Sequence, residues 1–275
     1  MHQSFALFNQ HPGKRKTTTD MTVQKHDKPL FDRVDVPAAL GLLTRLPVRV
    51  DSNRAMARGA ASAWAYPLVG LVIGSVVALL AAIVGQAGLP AQVTAGVVLL
   101  AAVVISGAMH EDGLADCADG FWGGWEKQRR LEIMKDSRIG VYGVCAIALT
   151  LLLRWQLLVL LIEADVLWSA LVAAAAASRT SMVVLMAFMP NASATGLSHS
   201  VGRPAKQAVA VAIVIGAAAA MVSGFAGVIV WVGAATALCG LIAQRKIGGQ
   251  TGDVLGATQQ MTEITALCAI AATLA

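Results

Sequence analysis

Six long apolar runs, each near the roughly 20 residues needed to cross a bilayer, decide what this chain can fold into: 62–84, 91–109, 142–162, 167–189, 205–222 and 225–243. A seventh, 254–275, is interrupted in its first turns by Gln259, Gln260 and Glu263. With 57% of residues hydrophobic and 13% charged, and a mean hydropathy of +0.68, the solvent for most of the chain is lipid. In lipid a backbone must satisfy its own polar groups, which leaves helices or a closed barrel, and runs of this length are helical. The expected fold is all-α: a polytopic integral membrane bundle of about seven transmembrane helices, the fifth and sixth joined by a tight turn.

Placement of Lys and Arg gives the expected orientation. The segment through Arg58 and the loops 110–141, 190–204 and 244–253 carry nearly all the basic residues. The opposite loops, near 86–90, 163–165 and 223–224, have none. Every basic loop therefore falls on one side, expected to be cytoplasmic. Residues 1–34 are polar, with Lys14, Arg15 and Lys16 and no apolar core, so they read as a disordered cytoplasmic tail rather than a cleavable signal. Residues 35–275 read as one membrane catalytic domain. The stretch 35–49 is apolar but too short to cross and suits an interfacial or re-entrant helix. Its Arg45 reaches either a phosphate or, more simply, lipid headgroups by snorkelling. A pI of 9.2 is accounted for by these loops, and no aromatic-interleaved basic surface points to nucleic acid. The four cysteines show no metal-ligand spacing; Cys145, Cys239 and Cys268 read as small packing residues.

The chemistry concentrates in residues 109–143, MHEDGLADCADGFWGGWEKQRRLEIMKDSRIGVYG. Asp112, Asp116 and Asp119 are spaced by four and then three residues, which stacks them on one helix face. Three like charges on one face repel unless a cation offsets them. A solvated loop is the simple alternative, but a cluster directly at a span end, flanked by glycines, points to function. Lys127, Arg129, Arg130, Lys135 and Arg138 follow. Acids to hold a divalent metal, then cations to hold phosphate, is the chemistry of phosphoryl transfer. Asp136 sits at helical spacing among these cations, where part of the charge must be internal pairing. Arg138 is the better phosphate candidate because a planar guanidinium suits phosphate oxygens. His110 is a ligand, a proton carrier or an interfacial side chain; Leu114 excludes an HExxH zinc site. Glu111 lies off the Asp112 face and reads as solvated.

Two other places carry polar groups into apolar surroundings. In Lys246–Gly256, KIGGQTGDVLG, Gly248, Gly249 and Gly252 permit a nest of backbone N–H groups, with Thr251 or Asp253 capping the next helix. Asp253 repels an anion there unless a metal bridges them. Arg154, Arg179 and Glu263 lie at lipid depth and need partners. Arg179 meets either a diphosphate or Glu263, whereas Arg154 pairs, snorkels or marks a wet cavity.

With these residues laid out, the chain resembles the cobalamin synthase family, also called adenosylcobinamide-GDP ribazoletransferases. The matching stretches are LLTRLPV at 42–48, HEDGLADCADG at 110–120, RRLEIMKDSRIGVYG at 129–143, Ser178–Arg179 and GGQTGDVLG at 248–256. Two departures stand out: NASATGLS at 191–198 lacks an arginine expected there, and Gln259–Gln260 replaces an expected acid. The resemblance implies a Mg²⁺-dependent enzyme of the bacterial inner membrane. It would join adenosylcobinamide-GDP to α-ribazole or its 5′-phosphate and release GMP. Asp112, Asp116 and Asp119, with Asp136 and Asp253, would hold the metal. Arg129, Lys135, Arg138 and Arg179, with Gly249, Thr251, Gly252 and Arg45, would hold substrate. Asp116 or Asp119 would take the acceptor's proton, with His110 as alternative. Lipid is an expected partner and a homo-oligomer is admitted. A CDP-alcohol phosphotransferase shares the opening DxxDG of 116–120, but Gly123 and Gly124 replace its next motif residues and GxxxDxxxD is absent. A transporter accounts for the intramembrane charges but not for the acidic block.

Overall fold

The computed structural model describes residues 29–274. Most of the expected tail, residues 1–28, therefore lies outside the described residues. Twelve α-helices and one 3-10 stretch follow in order among the described residues, with no strand. The long ones are α3 (Tyr66–Gln86), α7 (Val141–Glu163), α8 (Leu167–Phe188), α11 (Val228–Ile247) and α12 (Gly252–Ala271). Shorter apolar helices are α4 (Ala91–Ser106) and α10 (Lys206–Val222). The acidic block forms α5 (Met109–Gly123), and the small helices are α1 (Asp35–Leu43), α2 (Ser52–Arg58), α6 (Lys127–Ile133) and α9 (Leu197–Val201).

The all-α membrane architecture is as expected, but the spans do not number seven by length and apolarity. Four helical stretches qualify among the described residues: Ser52–Gln86, Val141–Glu163, Leu167–Phe188 and Val228–Ile247. A fifth exists if α4 and α5 count as one broken span. Helix α10 is short, with 17 residues, and α12 carries too many Gln, Thr and Glu side chains.

Helix α8 is the centre of the bundle. Of its most apolar window 72% is buried, against 28% for α7 and 22% for α11. It reads as an alanine row, Ala173–Ala177, every member buried, so other backbones approach it closely. Helix α3 approaches most closely at Gly70 and Gly74, one turn apart, where an added Cβ would strike the backbone of Ala175 and Leu171. We expect Gly70→Ala to force these helices apart and lower stability by roughly 1–3 kcal/mol, read as earlier thermal unfolding in detergent; an unchanged midpoint contradicts this packing. The outer helices turn Leu149, Leu152, Val230, Trp231 and Leu238 outward, an apolar exterior that suits lipid. Cys145 is exposed on that side rather than packed, while Cys239 and Cys268 are partly buried.

The second expected run ends early. Gly107 (φ 66°) and Ala108 (φ 56°) both adopt left-handed backbone, and the chain turns by 86° into α5. A side chain at Gly107 would run into that of Arg45, whose own N–H donates to the Ile105 carbonyl at 2.7 Å. The segment after α1 is thus pinned to the break through its backbone. Helix α5 then packs between α12 and α7. The α5–α12 contact is glycine-made on both sides: a Cβ on Gly113 would strike the Asp253 backbone, and one on Gly256 the His110 backbone.

The N-terminal segment is anchored by charge. Buried Asp35 accepts from Arg58 Nε and Nη2, both at 2.6 Å, and from Trp64 Nε1 at 2.8 Å. Arg58 also donates to the carbonyls of Pro29 and Leu30, so the chain is tied down from Pro29 onward.

Candidate active site

At one end of the bundle three loops close over a cavity of about 340 Å³. Helices α5 and α12 supply Asp112 and Asp253, the α6–α7 region supplies Lys135, and the loop after α8 supplies Asn191, Thr195 and Ser198. The basic loops 190–204 and 244–253 are stitched together by a parallel bridge, Asn191 with Gln250. Gln250 N donates to the Pro190 carbonyl at 2.8 Å and Ala192 N to the Gln250 carbonyl at 2.9 Å. A Cβ on Gly249 would strike the Pro190 carbonyl, so this glycine serves the stitch rather than a ligand. Thr251 caps α12, its Oγ1 accepting from Val254 N at 3.3 Å.

The three stacked aspartates share one helix but not one task. Asp112 is exposed to the cavity. Asp116 is half-buried one turn behind it, with Asp253, Asp112 and Asp119 as its charged neighbours. Asp119 is buried, and its oxygens accept from Gly140 N at 2.7 Å and Gly143 N at 2.9 Å. It is a cap, delivered from α5, for the start of α7. A Cβ at Gly140 or Gly143 would collide with its carboxylate, which accounts for both glycines of IGVYG. Each Asp119 oxygen, expected to face a metal or the acceptor's proton, is thus occupied by a backbone N–H group.

Asp253, at the head of α12, has its carboxyl pushed up by burial. Repulsion from Asp112 adds to this, while the Thr251 hydroxyl and Lys135 oppose it. Burial and like charge both disfavour its anion, which is the condition a bound cation relieves. Among the described residues no three His, Cys, Asp or Glu side chains converge as a ready-made metal cage. A donor set of carboxylate oxygens without nitrogen or sulfur still fits Mg²⁺, which takes one or two protein carboxylates and completes its shell with water and phosphate.

The cations divide likewise. Lys135 faces the cavity. Arg138, reaching into solvent, is bound to the partly exposed Asp136 at 2.7 Å, and the guanidinium holds that carboxyl down at about 2. Arg129 pairs with Glu132 at 3.3 Å on the exposed face of α6. Asp136, Arg138 and Arg129 thus lie outside the cavity lining, as does Asp116, one turn behind Asp112. Arg130 clamps the loop instead, donating to the carbonyls of Gly124 at 3.0 Å and Lys246 at 2.8 Å.

Behind the cavity lies a second one of about 20 Å³, and His110 lines both. Here Arg179 meets Glu263 at 2.7 Å, and Arg154 meets Glu263 at 2.9 Å and Glu111 at 3.2 Å. The sequence expectation that Glu263 needs a partner is met twice over, and Arg179 is bound to it rather than free for phosphate. Glu111, expected to be solvated, is buried and completes the network with Gln260. Among the described residues both ring nitrogens of buried His110 lack a hydrogen-bond partner. The sequence missed Glu111, Gln259 and Gln260, although glutamines inside an apolar run were the available signal. Asn191, Thr195 and Ser198 lie in the 191–198 stretch that the resemblance marked, although polarity alone did not single them out.

The comparisons with known proteins follow the same residues. The family model described as Cobalamin-5-phosphate synthase matches residues 35–271. A relative from Mesorhizobium japonicum, "Adenosylcobinamide-GDP ribazoletransferase", is 42% identical over 241 residues, covering 85% of this chain and 91% of its own. Relatives of the same description from Bradyrhizobium diazoefficiens (40%, covering 86% and 93%) and Azorhizobium caulinodans (41%, covering 86% and 94%) are similar throughout. No solved structure matches. A family match running from the first residue of α1 to the last of α12, with relatives aligned almost end to end, shows that this chain belongs to the cobalamin-5-phosphate synthase family.

Proposed function

We propose that this chain is a multi-pass membrane transferase of cobalamin nucleotide-loop assembly. It joins adenosylcobinamide-GDP to α-ribazole or α-ribazole 5′-phosphate, releases GMP, and depends on Mg²⁺. The observation carrying this reading is the cavity where Asp112 of α5 and Asp253 of α12 converge beside Lys135. Family membership supports the choice of substrates, and the geometry supports the roles that follow. Asp112 and Asp253 would hold a Mg²⁺ ion, whose charge would stabilise the departing GMP. Lys135 offers a movable ammonium to the phosphoryl oxygens, and Thr251 and Gly252 border the same space. The acceptor's ribose hydroxyl attacks the phosphorus on the cobinamide side, the P–O bond to GMP breaks, and Asp116 takes the hydroxyl proton. His110, with two unpartnered nitrogens at the cavity wall, is the second candidate for that proton. The clustering of basic loops at the cavity supports a cytoplasmic-facing site in a bacterial inner membrane.

The test is GMP release by purified protein in lipid, given adenosylcobinamide-GDP, α-ribazole and Mg²⁺. Because the Asp253 carboxyl is raised, protons compete with the cation on the acid side of its titration. The Mg²⁺ concentration for half-maximal rate therefore falls as pH rises, by up to about tenfold per pH unit below that pKa. Undiminished GMP release in chelator, or a Mg²⁺ requirement indifferent to pH, counts against the reading.

A further inference from the structure

One wall of the cavity has no part in handling charge. Met182 and Met186 sit one turn apart on the inner face of α8, and with Tyr66, Leu43, Met134 and Leu255 they form a continuous apolar surface. All six are buried, Met186 to 2% exposure. Asp112, Lys135 and Asp253 border the same space. We propose that this methionine wall is the seat of the acceptor's base, and that the corrinoid remains outside the cavity, inserting only its phosphate-bearing arm. The inference rests on the transferase reading above and adds the subsite that reading lacks.

Size and polarity carry it. A volume of about 340 Å³ lies at the small end of the ~300–1,000 Å³ pockets that hold one small ligand. A nucleoside fits such a space; a corrin ring with its amide arms and adenosyl group is several times too large. Between the two nucleosides involved, guanine bears donors and acceptors around its edge. Methionine, leucine and the tyrosine ring would leave these unpaired. The acceptor's base is a methylated bicyclic ring with an almost wholly apolar outline, the shape that flexible thioethers cover well and contact favourably through sulfur. With the base against Met182 and Met186, its ribose points toward the carboxylate side, where the reacting hydroxyl is needed.

The experiment measures GMP release by Met182→Ala and Met186→Ala in lipid, varying each substrate separately. The expected result is a KM for α-ribazole raised about tenfold or more, with the KM for adenosylcobinamide-GDP and the half-saturating Mg²⁺ unmoved. Misfolding lowers the active fraction and hence the maximal rate, not KM, and the near-isosteric Met186→Leu keeps the wall filled and should raise the acceptor KM less than Met186→Ala does. A raised donor KM with an unchanged acceptor KM overturns the proposal, as does no change in either. Binding of α-ribazole alone, by equilibrium dialysis, separates this idea from the parent reading. If wild type neither releases GMP nor binds α-ribazole, the transferase reading fails. If wild type does both and the alanine variants bind α-ribazole equally well, only the methionine wall is wrong.

Discussion

Changing Asp112, Asp116 or Asp253 to Asn should reduce GMP release by about 10²–10⁴-fold, the range for losing a proton acceptor or a metal-held charge, while leaving the fold intact or firmer. Asp116 has three carboxylates as charged neighbours and no basic one among them, and Asp253 is disfavoured as an anion by burial and by Asp112. In the absence of a cation these groups strain the fold, so neutralising one relieves repulsion. Thermal unfolding in chelator should thus occur at an equal or higher temperature in the variants. Added Mg²⁺ should raise the wild-type midpoint and lose that effect in the variants. Asp119→Asn belongs to a different class. Its amide nitrogen would face one of the N–H groups of Gly140 and Gly143 that now donate to the carboxylate, leaving a donor unsatisfied at a cost of ~1–3 kcal/mol. Stability should fall first, and activity with it. Full turnover by Asp116→Ala would remove it as proton acceptor and leave His110; parallel behaviour of Asp119→Asn and Asp112→Asn would dissolve the distinction between cap and ligand.

That distinction shows how far residue order carries. A spacing of four and three residues correctly stacks Asp112, Asp116 and Asp119 on one helix face, because helical periodicity is local. Whether a carboxylate on that face meets solvent or the N–H groups of a helix some twenty residues onward depends on tertiary contact, and no local pattern encodes it. The same limit explains the cations. Arg138 is spent on Asp136 two residues away, a pairing that the charge pattern allowed but could not rank against phosphate. The apolar runs gave the bundle and its outward-facing leucines, since lipid imposes a length rule. They could not show that Gly107 and Ala108 take left-handed backbone, which shortens α4 and turns α5 inward. Ala108 in particular carries no signal for positive φ. Intramembrane charge was the most legible feature. Glu263 at lipid depth demanded a partner, and the structure supplies Arg179 and Arg154. Glu111 escaped notice because it adjoins an acidic block that reads as exposed, and only the inward turn of α5 buries it.

The largest stability effect should come from Glu263→Ala. The buried quartet of Glu111, Arg154, Arg179 and Glu263 balances two positive charges with two negative, and Glu263 alone bridges both arginines: Oε1 to Arg154 Nη2 at 2.9 Å, Oε2 to Arg179 Nη1 at 2.7 Å. Of the two arginines, Glu111 touches only Arg154. Deleting Glu263 leaves Arg179 with no carboxylate and the bundle interior with a net positive charge, and breaking a buried pair from one side costs about 3–5 kcal/mol. Glu263→Gln keeps the shape and an acceptor for one guanidinium but drops the charge, so it should lie between wild type and alanine. The decisive arm is the pair Arg179→Met with Glu263→Gln. It restores neutrality, with Arg154 held by Glu111, and should recover most of the loss, because an uncompensated charge rather than a missing contact is what destabilises the single variant. Unfolding in detergent, followed by loss of helical circular dichroism, measures all three. A Glu263→Ala protein within about 1 kcal/mol of wild type, or a double variant no better than the single, would mean that water or lipid headgroups reach the quartet and screen it.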